Sequence, residues 1–256
     1  MNIRELVRPS GLEHAYTLLQ DADNAIIAGL TNLKLSQRKI GIAIDLSEMG
    51  LDYIRESQEY LEIGAMTTMR EIEQSTLCRN LFSGALVRAL EHVGGVQLRS
   101  HITVGGTVFL RNGFSDLITV LLALDCQVSF FRKGIMPIGD FLEQGIRKDI
   151  ITGIRIPIRD VRCALEELRK SYTDFPLLNA AAAKSGPDIR IAVGARPSWA
   201  QLAPKAMLAL SGGCTAREAG IIAGEELNFG DNLHAGAWYR KKLCDVLVTR
   251  VVEKVV

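Results

Sequence analysis

The stretch AIIAGLTNLKL, Ala25–Leu35, decides how the chain is read. An apolar run of the kind that forms a buried strand stops at Ala28-Gly29. It gives way to Leu30-Thr31-Asn32-Leu33, with no long helical pattern directly behind it. A second stretch, Thr103-Val104-Gly105-Gly106-Thr107, has the same character: an extended segment, then small residues and a short hydroxyl. Glycine lets backbone approach a ligand closely, and successive N–H groups at such a turn form a concavity that binds an anion. Thr31, Asn32, Thr103 and Thr107 would add side-chain hydrogen bonds. The plainer account is two surface turns in which Thr and Asn cap their own backbone. Neither stretch is a P-loop, because no Gly-Lys-Ser/Thr follows, and neither is a G-x-G-x-x-G fingerprint.

Working outward, Leu12, Ala15, Tyr16, Leu18 and Leu19 recur at helical spacing before Ala25, and Ile40–Leu46 reads as a further strand. Helix, strand, turn, strand predicts a small α/β unit with buried parallel strands. From residue 53 the pattern changes. Tyr60–Ala65 is strand-like, and Thr68 with Glu71 forms a capping box that predicts a helix start. A helix is expected over Ala85–Val93, ending at Gly94-Gly95. Strands are expected at Cys126–Phe131 and Ile150–Ile158. The last ninety or so residues read as a third unit. In it Asp174–Lys184 and Ile189–Gly194 could pair as strands, although four successive alanines equally suit a helix. A second capping box at Thr215 and Glu218 and an apolar stripe of Leu243, Leu247 and Val251 predict two closing helices. The division expected is 1–52, 53–160 and 161–256.

With 256 residues, 48% apolar, 23% charged and a net charge of +1, the chain has globular composition and no broad field for a nucleic-acid backbone. Five scattered cysteines, Cys78, Cys126, Cys163, Cys214 and Cys244, contain no C-x-x-C pair. They argue against a disulfide framework and for a reducing compartment. MNIRELVRPS lacks a signal-peptide core, and the uncharged run Leu117–Leu124 is too short to span a bilayer. A cytoplasmic protein without membrane contact is expected. His14, His92, His101 and His234 show no metal-ligand spacing, and no serine lies in a G-x-S-x-G elbow.

Together these residues resemble a known family. Gln97-Leu98-Arg99-Ser100-His101-Ile102-Thr103-Val104-Gly105-Gly106 is similar to the Q-I-R-N-x-x-T-I-G-G segment of the FAD-binding, or medium, subunits of molybdenum hydroxylases. Those subunits include the ones of xanthine dehydrogenase and carbon monoxide dehydrogenase. Ala28–Leu33 resembles the family's A-G-G-T-[DNS]-L loop, and Ile63–Thr68 its I-G-A-x-T-T segment. Asn112–Leu117 and Leu121–Asp125 resemble its Ser/Ala-Ala-Asp-Leu and L-L-A-L-D-A landmarks. Asp174-Phe175, Ile191–Gly194 and Tyr239–Leu243 resemble landmarks of its C-terminal domain.

The resemblance implies an α+β fold: a two-part FAD-binding domain of the vanillyl-alcohol-oxidase/PCMH type, then a C-terminal sheet-plus-helices domain. It implies that Ala28, Gly29, Leu30, Thr31, Asn32 and Leu33, with Thr103, Val104, Gly105, Gly106 and Thr107, clasp the FAD pyrophosphate. Asp116 would accept from the ribose or adenine end, assisted by Ser115, and Arg99 would orient its loop. No catalytic acid or base and no metal ligand is expected here. Molybdopterin and [2Fe–2S] centres would sit on partner subunits, and electrons would pass to NAD⁺ or another acceptor. Two alternatives are a flavin-free scaffold subunit of the same kind of complex and a free-standing flavin enzyme. The sequence departs from the pattern at Leu30, where the family has glycine, and at Ser100, Thr107, Arg111 and Phe114.

Overall fold

The computed structural model describes all 256 residues, arranged around three sheets. The first is a parallel three-stranded sheet of β1 (Asn2–Val7), β2 (Ala25–Ile27) and β3 (Lys39–Asp45), in the order β1-β3-β2. Helix α1 (Leu12–Leu19) buries Ala15 and Leu19 with Ile44 of the central strand. β1 has no counterpart among the strands expected from sequence. Its NIRELV carries Arg4 and Glu5 and lies along the sheet edge, largely exposed, so it lacks the apolar run that betrays a buried strand.

The second sheet is antiparallel, ordered β4 (Ile54–Glu56), β5 (Tyr60–Gly64), β8 (Ile151–Pro157), β6 (Gln127–Phe130) and β7 (Gly134–Pro137). Between β5 and β6 run α2 (Met69–Gln74), α3 (Thr76–Asn80), α4 (Ala85–Arg88), α5 (Val96–Arg99), α6 (Val104–Leu110) and α7 (Asp116–Ala123), and α8 (Ile138–Gln144) follows β7. Both halves of the Thr68–Glu71 capping box are made at the start of α2. The helix expected over Ala85–Val93 is shorter. Beyond Arg88 the N–H groups of Leu90 and Val93 bond three residues back, so the chain tightens into turns before Gly94. Just upstream, Phe82, Ser83 and Gly84 are all left-handed, with φ of 54°, 56° and 73°.

The third sheet is antiparallel, with β12 (Gln201–Leu202), β11 (Asp188–Gly194), β10 (Leu178–Ser185) and β9 (Arg162–Leu168) side by side. Helices α9 (Pro204–Ser211), α10 (Ala216–Glu226) and α11 (Ala237–Val255) close the chain. The four alanines are strand. Ala181 and Ala183 face the core that contains α7, while Ala180 and Ala182 face the core that contains α11. A strand with a helix on each side has room only for small side chains, which explains an alanine run where helix propensity would predict a helix. Through Cys163, Leu165, Ala181, Ala183 and Ala192, this sheet shares one continuous core with the middle sheet. No helix is long and apolar enough to cross a membrane.

Candidate cofactor site

β2 delivers the chain to Ala28-Gly29, and Leu30 then takes a left-handed conformation, φ 57°. A short 3-10 turn, Leu33–Leu35, ends the loop. Its first downstream bonds are Lys34 N–H to the Leu30 carbonyl and Leu35 N–H to that of Asn32. The N–H groups of Gly29, Leu30, Thr31, Asn32 and Leu33 meet no acceptor in the protein. The loop is half-buried, with Asn32 exposed, so these five successive donors are open to solvent or to a ligand. They form a ready receptor for an anion with several oxygens.

The second stretch lies beside the first. A Cβ built on Gly29 would fall 1.5 Å from the backbone oxygen of His101, so only glycine permits the two segments to touch. The local structure of the second stretch differs from the expected glycine turn, however. Thr103 is the N-cap of α6, and Gly105 and Gly106 lie in its first turn. The amides there are spent inside the protein. Val104 donates to the Thr67 carbonyl at 2.9 Å, Gly105 to that of Ala65 at 2.8 Å, and Gly106 to Thr103 Oγ1 at 3.1 Å. Gly105 is glycine because Ala65 presses on it, with Cβ and O at 2.7 and 2.8 Å from where its own Cβ would be. Thr107 turns its hydroxyl to the Thr103 carbonyl. This segment is a buried wall behind the first loop.

Arg99 is also buried. It forms a two-point ion pair with Glu73, with contacts of 3.1 and 3.0 Å, and donates to the carbonyls of Val93 and Gly94. It therefore orients the turn that leads into α5, and its charge is committed there. Burial pulls the Glu73 carboxyl up, but Arg70 and Arg99 together hold it below the usual carboxylate range.

Ser115 caps α7 by accepting from Ile118 N–H. Asp116 has its own partners within the protein. Its Oδ2 pairs with Arg169 and its Oδ1 accepts from Asn179 Nδ2 at 2.7 Å, so both oxygens are taken by the third sheet. Asn179 in turn accepts from Thr119. Burial pushes the Asp116 carboxyl up to about 6 against the opposing pull of Arg169 and Asn179. This latch has no signature in the sequence, since Arg169 and Asn179 are remote in the chain and match no motif. Close by, Phe114 and Phe175 meet across the same seam with centroids 4.1 Å apart and ring planes inclined by 42°. Gly113 touches Ser198, and its carbonyl accepts from Ala195 N–H. No group of His, Cys, Asp and Glu side chains is arranged to hold a metal ion.

A small parallel sheet, a larger antiparallel sheet with inserted helices, and a donor-rich loop between them define a dinucleotide-binding α+β protein. Residues 2–159 match the family described as the FAD binding domain in molybdopterin dehydrogenase, and the chain belongs to it. It is 28% identical over 268 residues to the nicotine 6-hydroxylase medium subunit of Paenarthrobacter nicotinovorans, covering 95% of this chain and 94% of that one. It is 33% identical over 132 residues to the nicotinate dehydrogenase FAD-subunit of Eubacterium barkeri, covering 48% and 44%. Its fold superposes on quinoline 2-oxidoreductase from Pseudomonas putida 86 with a TM-score of 0.89, at 23% identity and 100% and 97% coverage. The corresponding values for CO dehydrogenase from Oligotropha carboxidovorans are 0.88, 21%, 100% and 98%. The chain is thus a FAD-binding oxidoreductase component of the molybdenum hydroxylase type.

Proposed function

We infer that this chain is the flavin-carrying station of an electron relay in a complex resembling xanthine dehydrogenase. The run of five unpartnered amides from Gly29 to Leu33 carries the reading. A pyrophosphate offers many acceptor oxygens and two negative charges, and amides held in place by the fold satisfy it without reorganising. Ala28 ends the strand that aims the loop, and Thr31 and Asn32 add side-chain donors. Thr103–Thr107 and Arg99 serve as the supporting wall, and Ser115 and Asp116 as the seam to the third sheet. Bound FAD supplies the redox chemistry, accepting an electron pair and releasing it.

In this account a molybdopterin-binding partner oxidises the substrate, and an iron–sulfur partner with [2Fe–2S] clusters passes the electrons here. NAD⁺ or another acceptor then removes them. The units 1–52 and 53–160 hold the cofactor between them. The unit 161–256 covers the flavin ring, with Phe114 and Phe175 offering an apolar contact at the seam. The names of the two heterocycle-oxidising relatives favour a nitrogen heterocycle as the substrate of the complex. Five unbridged cysteines fit work in the cytoplasm.

The test is to purify the chain with its partners and to quantify released flavin by chromatography and mass spectrometry. About one FAD per chain supports the relay. An intact complex without flavin favours the scaffold reading instead.

A further inference from the structure

We propose that residues 230–236 and the first turn of α11 form the docking knob for the iron–sulfur partner, with Leu233 and Trp238 as its anchors. The inference rests on the electron-relay reading and deepens it, by naming the surface of this chain to which the electron donor attaches.

Leu233 is 100% exposed and Trp238 73%, and Tyr239 is exposed beside them. A lone leucine on a surface is ordinary, but three large apolar side chains in one short stretch form a patch. The knob is also rigid. Arg240 is buried, and its guanidinium donates to the carbonyls of Leu177, Gly230 and Ala235 and to Asn232 Oδ1. Asn232 Oδ1 accepts further from the N–H groups of His234 and Ala235, and Asp231 Oδ1 from that of Ala237. Residues two apart on a helix point to roughly opposite sides, so the inward Arg240 turns Trp238 outward. A slack loop would fold its leucine away, whereas this one holds it out. Side chains preset in this manner lose little freedom on docking.

Continuity and charge identify the occupant. The Leu177 carbonyl held by Arg240 lies two residues from Phe175, whose ring meets Phe114 at the seam assigned to the flavin ring. Gly230 N–H donates to the Arg196 carbonyl, and the adjacent Ala195 N–H to that of Gly113. The knob and the seam are thus one connected surface. Of the partners in the relay, the one that must come closest to the flavin is the one that delivers its electrons. Lys241 and Lys242, three and four residues after Trp238, lie on its side of the helix. Lys242 has only a long contact, 3.9 Å, to Asp245, and Lys241 pairs with no carboxylate. The partner surface that fits is an apolar socket edged by carboxylates.

The experiment is biolayer interferometry on the immobilised full chain, with the iron–sulfur partner, the molybdopterin partner and this chain itself as analytes. Leu233→Ala combined with Trp238→Ala should weaken binding of the iron–sulfur partner at least about ten-fold. Thermal unfolding and FAD content of the variant should match wild type. Lys241→Glu combined with Lys242→Glu should weaken the same contact roughly two- to five-fold at low salt and approach wild type at high salt. Leu208→Ala, which trims another exposed leucine on α9, should leave it unchanged. The proposal is overturned if wild type does not bind the iron–sulfur partner, or if the Leu233/Trp238 variant binds it as wild type does. Loss confined to the molybdopterin partner or to self-association overturns it as well. Chains without FAD whose iron–sulfur contact still depends on Leu233 and Trp238 would overturn the relay and leave the docking surface standing.

Discussion

Gly29 and His101 touch through backbone alone: a methyl group on Gly29 would lie 1.5 Å from the His101 carbonyl oxygen and 2.4 Å from its carbon. Residues seventy-two positions apart are thereby locked into one surface, with the free amides of Gly29–Leu33 on one side and the closed first turn of α6 on the other.

Gly29→Ala should force the two segments apart, since neither atom in the clash belongs to a side chain that could rotate away. A loss of about 1–3 kcal/mol is expected from the overpacking. FAD affinity should fall more steeply than stability, because the loop that carries the free donors is displaced. Thermal denaturation and FAD titration of the same preparation check the two effects separately.

Leu30→Gly should act in the opposite sense on the same loop. A left-handed conformation costs a branched residue roughly 1–2 kcal/mol, while the added freedom of glycine in the unfolded chain returns roughly 0.5–1 kcal/mol of that. The strain term is the larger, so a small net stabilisation of about 0–1.5 kcal/mol is expected. Urea denaturation measures it, and a clear destabilisation would show that the Leu30 side chain contributes more by packing than its backbone costs.

Asp116 makes stability depend on pH. Its carboxyl is raised by burial from an ordinary 3.8 to about 6, so the folded chain holds a proton that the unfolded chain has already released in that interval. The stability this group contributes is full below about pH 4, falls as pH rises towards about 6, and is level above. Denaturation across that range, with Asp116→Asn as the reference, should give a wild-type-minus-variant difference that declines only within the window. A difference that rose with pH would place the carboxyl below its ordinary value.

Ala181→Leu tests the explanation of the alanine strand. Ala181 is fully buried between β10 and the core containing α7. The larger side chain should cost about 1–3 kcal/mol or more, despite the higher hydrophobicity of leucine. A neutral result in thermal denaturation would mean that the helix has room to move.

What was legible from sequence followed physical type. Capping boxes at Thr68 and Thr215 marked real helix starts, because the signal is local and both halves lie within four residues. The strands at Ile40–Leu46 and Ile150–Ile158 were visible as apolar runs. β1 was not, because an exposed edge strand has no such run. The alanine strand was ambiguous because propensity favours a helix there, and only a second helix across the sheet decides otherwise. The first glycine loop could be placed from its residues. The closed state of the second could not, since its amides are satisfied by Ala65 and Thr67, some forty residues earlier in the chain. The partners of Asp116, Arg169 and Asn179, were not legible either, because no spacing rule connects them to it.

The most direct test of how the cofactor is gripped is an amide-resolved NMR titration of the flavin-free chain with FAD. The N–H resonances of Gly29, Leu30, Thr31, Asn32 and Leu33 should shift strongly and together, while those of Val104, Gly105 and Gly106 change little. Large shifts confined to residues 104–106, with residues 29–33 unmoved, would contradict the account.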